Sequence, residues 1–152
     1  MVHLVYCDNA GTKGNKVLDK IYSGRKTMVV RGAAGRKFPH SRVFAGELLY
    51  FMEKGTGVIS AKAEVKEVQN FSRLSEEEIT EILEINQPKL DLSEKQKVRW
   101  HKKYLCLVEF EKVESIQPLK FDRQGNMDDW LIIEKIEDVV EGTSIPYTYI
   151  KI

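Results

Sequence analysis

The chain is poor in residues that staple or ligate, with two cysteines, three histidines and four prolines in 152 residues. Cys7 and Cys106 each stand alone in an apolar, strand-like segment, which excludes a disulfide framework and predicts buried thiols in a reducing compartment. His3, His40 and His101 share no metal-ligand spacing with one another or with the cysteines, so neither a metal site nor a cofactor is expected. Neither a Gly-x-Ser-x-Gly elbow nor a phosphate-binding P-loop occurs. No run of about 18 apolar residues is present to span a bilayer, and Met1 to Asn9 lacks the basic start and apolar run of a signal peptide. These absences predict a cytoplasmic protein with no membrane partner.

What is present suits one domain over residues 1–152, since 42% hydrophobic residues at this length supply one core. The net charge of +1 hides an uneven distribution. From Lys20 to Gly46 there are seven basic residues (Lys20, Arg25, Lys26, Arg31, Arg36, Lys37, Arg42) and no acidic one. The balancing acids cluster elsewhere, at Glu76, Glu77, Glu78, Glu81 and Glu84. One face of the fold is therefore expected to be positive.

Periodicity predicts a first strand over Val2 to Cys7, a polar turn over Asp8 to Gly14, and a short helix capped by Asn15 and ended by Gly24 in a left-handed conformation. A strand over Lys26 to Arg31 comes next, then the glycine-bearing basic loop Gly32 to Ser41. Strands follow over Glu47 to Met52 and Gly57 to Val68, the second alternating Ala61, Ala63, Val65 against Lys62, Glu64, Lys66. Ser75 with Glu78 forms a capping box for a helix stopped by Pro88, and Ser93 with Gln96 opens another near Glu94 to Lys103. Tyr104 to Val113, Asp129 to Ile136 and Tyr147 to Ile152 complete the strands. Short strands with inserted helices, out of strict alternation, predict a mainly β, α+β fold: a mainly antiparallel barrel with helices at its ends.

The segment Ile21 to Gly32, IYSGRKTMVVRG, resembles the ASCH family of the PUA-like superfamily, in which a Gly-x-Lys-x-x-x-x-Arg element joins the first helix to a barrel strand. The matching residues are Gly24, Lys26 and Arg31, and the likeness runs on through Arg42, Gly46 and Glu47 to Val68. It implies a PUA-like mixed or antiparallel β-barrel and a cleft flanked by Lys26 and Arg31. The spacing alone does not, because positions five apart fall on opposite faces of a regular strand.

Chemically, Lys26 offers a point charge and Arg31 a planar fork for phosphate or a base edge. Arg25, Arg36, Lys37, His40 and Arg42 add phosphate contacts on one reading and are solvated loop charges on the other. Trp100 and Tyr104, in a second basic and aromatic stretch, stack on bases or anchor the core. Trp130 reads as core, and Asp128 or Asp129 as a cap or a partner for the basic loop.

The resemblance also includes small amidohydrolases that deacetylate N4-acetylcytidine nucleosides with the motif lysine, a threonine on the same strand and a glutamate. Val29 occupies the threonine position, which removes the expected nucleophile. Thr27 remains a catalytic candidate beside Lys26, and Glu47 and Glu64 are candidate carboxylates. The sequence thus favours an RNA-binding or modified-nucleotide-binding module over a nucleoside amidohydrolase or ribonuclease, and over a regulatory domain with a protein partner.

Overall fold

The computed structural model describes residues 1–125 and 128–146. Six strands form one curled, mixed sheet, a half-barrel accompanied by three helices. In chain order they are β1 (Val2–Cys7), α1 (Val17–Tyr22), β2 (Met28–Ala33), β3 (Leu48–Glu53), β4 (Val58–Phe71), α2 (Glu76–Leu90), α3 (Glu94–Arg99), β5 (Tyr104–Lys120) and β6 (Trp130–Ile133). A 3-10 turn over Ile136–Val139 follows. The strand order is β2-β5-β4-β3-β1-β6, with β1 parallel to β3 and every other pair antiparallel. The predicted closing strand, Tyr147 to Ile152, lies outside the described residues.

Alternation along the strands builds the core in three parts. Val5, Val29, Phe51, Ala61, Ala63, Val65, Cys106, Val108 and Trp130 belong to the largest cluster. Leu4, Met52, Ile59, Leu131 and Ile133 pack with Phe121 in a second. Met28, Val30, Leu105 and Leu107 meet Ile79, Leu83 and Leu90 of α2 in a third. β1, β2 and the first half of β5 are thus covered on both faces, which is why they read as apolar runs. Three register shifts between β4 and β5 bend this long pair and curl the sheet. Both cysteines are buried free thiols.

The structure corrects several boundaries. Asn15 does not cap α1. Lys16 is the N-cap residue, and Asp19 reaches back to accept from the N–H groups of Gly14 (2.9 Å) and Lys16 (3.3 Å). Pro88 does not stop α2, because the carbonyl it leaves without a donor is that of Glu84 on the exposed face. The helix ends at Asp91 (φ 46°), whose N–H donates to the Gln87 carbonyl at 2.9 Å. β2 starts at Met28, two residues later than expected. β5 continues to Lys120 through a mostly exposed stretch that carries no apolar alternation to reveal it. Both capping boxes, Ser75 with Glu78 and Ser93 with Gln96, form as expected.

Candidate functional site

Gly24, at φ 80°, turns the chain out of α1 and leaves Lys26 in the irregular segment before β2. The Lys26 N–H bonds the Lys20 carbonyl, and its ammonium donates to the Leu90 carbonyl in the last turn of α2, the negative end of that helix. Lys20 donates in the same way to the Asp91 carbonyl at 2.8 Å. Burial, assisted by the nearby charge of Arg31, pulls Lys26 down to about 7.

Arg31 sits on the same side of β2 as Val29, the side toward the largest core cluster. Nη1 donates to the Val30 carbonyl at 2.8 Å and Nη2 to the Tyr6 carbonyl at 2.7 Å, so the side chain ties edge strand β2 to β1 across the open side of the half-barrel. Its guanidinium is flanked by the rings of Trp100 (5.2 Å) and Trp130 (5.6 Å), and Arg99 covers Trp100 at 4.7 Å. Nε is buried and has no hydrogen-bond partner among the described residues. Burial lowers the Arg31 pKa, yet a guanidinium remains charged at physiological pH.

Lys26 and Arg31 line one cleft because β2 begins only after Lys26, which removes the alternation that would have separated them. Tyr6, Cys7 and Asp8 from the end of β1, Gln96, Arg99 and Trp100 from α3, and Lys54 and Asp129 complete its walls. The Asp129 carboxylate accepts from Lys54 and Arg99, each at 2.7 Å. Burial raises its pKa, but the Lys54 hydrogen bond and the charges of Arg31, Lys54 and Arg99 outweigh that and hold it below the usual carboxylate value. The cavity so closed is about 40 Å³, room for a little water and far less than a site for an organic ligand requires. Cys7 is no nucleophile here, since burial pushes its thiol up to about 12.

Asp129 apart, the remaining candidate residues do not line the cleft. Arg25 is exposed and pairs with Asp91 at 3.1 Å. Arg36, Lys37 and Arg42 are exposed on the loop and form no ion pair with a described residue. His40 is buried, with Nε2 on the Phe71 carbonyl at 3.0 Å and its ring edge-on to Tyr104, so both brace the loop against the sheet. Thr27 borders a second surface hollow, which Gly24, Lys26, Lys66 and Glu109 also line. Glu64 faces Lys112 at 3.4 Å. Glu47 is bound by the Met1 ammonium, His3 Nε2 and the Phe44 N–H. Trp130 Nε1 donates to His3 Nδ1 at 3.0 Å, so His3 is held as the neutral tautomer with its proton on Nε2, and burial lowers its pKa. Asp129 pairs with Lys54 and Arg99 rather than with the basic loop.

Lys54 is a cleft residue that sequence reasoning missed, and Asp129 is one to which it gave a different partner. Lys54 follows β3 and Asp129 precedes β6, and only the flanking of β1 by these two strands brings them together. No local pattern marks either one. Among the described residues no group of side chains is arranged to hold a metal ion, and no helix is long and apolar enough to cross a membrane.

No protein-family model and no curated protein sequence matches the chain. Solved structures do. The ASCH protein of Zymomonas mobilis superposes with a TM-score of 0.61 at 11% identity, covering 88% of each chain. A serine-to-alanine variant of that protein gives 0.62 at 11% identity, over 88% of this chain and 89% of the other. A tyrosine-to-phenylalanine variant gives 0.60 at 11%, over 88% and 91%. The half-barrel described above therefore has the fold of these ASCH-domain structures.

Proposed function

We propose that the protein is a binding module for RNA or a modified nucleotide, with the cleft around Lys26 and Arg31 as its site. The observation that carries this reading is the convergence of Lys26, Arg31, Lys54 and Arg99, with the indole of Trp100, on one cleft whose lining carboxylates among the described residues are Asp8 and Asp129. Lys26, held where water is largely excluded, favours an incoming phosphate, with Lys54 and Arg99 on the more exposed side. An ASCH-type fold is compatible with this use. On this reading the exposed cations Arg36, Lys37 and Arg42 meet further phosphates of a longer strand. The test is a titration with short single-stranded and structured RNAs at low and physiological salt. Each phosphate contact on a single strand contributes about −0.7 to the slope of log affinity against log salt. Affinity that is absent, or unchanged in Lys26→Ala and Arg31→Ala, ends the reading.

Lys26 itself favours a second reading, a hydrolase acting on acylated nucleosides. An amine titrating near 7 is suited to general-base work. Val29 is buried and has no hydroxyl, and Thr27 shares a second hollow with Lys26 but does not line the cleft, so within the cleft water would be the nucleophile. Turnover of N4-acetylcytidine above a Lys26→Ala control would establish it.

A further inference from the structure

One wall of the cleft carries a carboxylate already held by two of its cations. Asp129 Oδ1 binds Lys54 and Oδ2 binds Arg99, both at 2.7 Å, and so cross-links the turn after β3, the end of α3 and the start of β6. Two short charge-assisted contacts, one to each oxygen, resemble the way a phosphate or carboxylate ligand is gripped. We propose that the Asp129 carboxylate is an internal occupant of an oxyanion site, filling with Lys54 and Arg99 the place that a phosphate group of the ligand takes in the bound state. This rests on the reading of the cleft given above, and it names the phosphate as the group recognised there.

Three observations point to exchange rather than to a permanent structural pair. Lys54, Asp129 and Arg99 are 32%, 31% and 45% exposed, so an outside anion reaches them without unfolding the core. Beneath them Arg31 Nε is a buried donor without a described partner, and Lys26 pairs with no carboxylate among the described residues. A second ligand oxygen has a place there that Asp129, already committed to Lys54 and Arg99, leaves unfilled. Finally, α3 itself has no fully buried side chain, so release of Arg99 removes a tie between that helix and the start of β6 beside a cavity now too small for a nucleotide.

Asp8 supplies the control. It lines the same cleft and carries the same charge, but its Oδ1 accepts from the Ala10 N–H and it pairs with no cation among the described residues. Binding of inorganic phosphate and of a short single-stranded RNA should tighten by about five-fold or more in Asp129→Asn, and by less than about two-fold in Asp8→Asn. If Asp129→Asn does not fold, carboxyl 13C NMR of the wild-type protein reads the same event. Phosphate saturation should raise the Asp129 pKa as Lys54 and Arg99 leave it. Tightening for phosphate without RNA binding supports the oxyanion site and ends the RNA reading. RNA binding that depends on Lys26 and Arg31 but is no tighter in Asp129→Asn than in Asp8→Asn overturns the internal occupant and leaves the RNA reading standing. An unmoved Asp129 pKa in phosphate-bound protein, or no anion binding by either variant, overturns it as well.

Discussion

Lys26 and Arg31 belong to the same acid-free stretch as Arg36, Lys37 and Arg42, and nothing in their chemistry separates the two groups. Their surroundings do. Lys26 is 5% exposed and is held by a helix-end carbonyl, and Arg31 is held by two strand carbonyls between two indoles. The loop cations extend into water without ion-pair partners among the described residues. A buried cation costs stability and is retained where it has work to do, whereas a solvated one is nearly neutral.

The largest effect that sharpens this contrast is on Arg31. Arg31→Ala leaves the Tyr6 and Val30 carbonyls without their donors and opens a space between Trp100 and Trp130, which should cost about 3–5 kcal/mol by chemical denaturation. Arg36→Ala should cost less than about 0.5 kcal/mol in the same measurement. Equal losses would erase the distinction between the two regions.

Lys26 should behave in the opposite sense. Its folded pKa of about 7 lies below its ordinary 10.5, so the unfolded chain binds the proton more readily than the folded one. Stability from this group is complete above 10.5 and is lost as pH falls toward 7. Lys26→Met should therefore stabilise the protein at pH 7 and below, less what is lost by leaving the Leu90 carbonyl without its donor, and the gain should shrink as pH approaches 10. Anion and RNA binding should fall at the same time.

A smaller effect follows from the same titration. An anion beside Lys26 needs the ammonium form, so affinity should drop by up to about ten-fold for each pH unit above 7, while Lys26→Met gives a flat profile. Calorimetry in buffers of differing ionisation enthalpy would reveal the accompanying proton uptake. The smallest effect belongs to the loop. Arg36→Ala, Lys37→Ala and Arg42→Ala should each reduce the RNA salt slope by about 0.7 if that residue meets a phosphate, and leave it unchanged otherwise.

The elements legible in the sequence were those whose pattern is local. The Ser75 and Ser93 capping boxes, the alternation of β4 and the Gly24 turn are each written within a few residues, and all formed. The end of β5 and the passage of α2 through Pro88 were not, because exposed strand residues and a helix terminus set by Asp91 leave no apolar signal. Within the cleft, Lys26, Arg31 and Trp100 were legible as charged or aromatic residues around a motif. Lys54 was not, and Asp129 was legible only as a cap or a partner for the basic loop, since their approach to each other depends on a parallel strand pair that no short-range pattern encodes.

β3 and β4 are neighbours in sequence and pair as a local hairpin, whereas β1 must find β3 and then β6, which brings His3 to Trp130 across 127 residues. Loop closure delays such contacts, so β1 and β6 should dock after the β3–β4 hairpin has formed. The cleft walls contributed by Tyr6, Lys54 and Asp129 assemble in that late step. Weakening them, as in Asp129→Asn, should speed unfolding in stopped-flow measurements while leaving the refolding rate nearly unchanged.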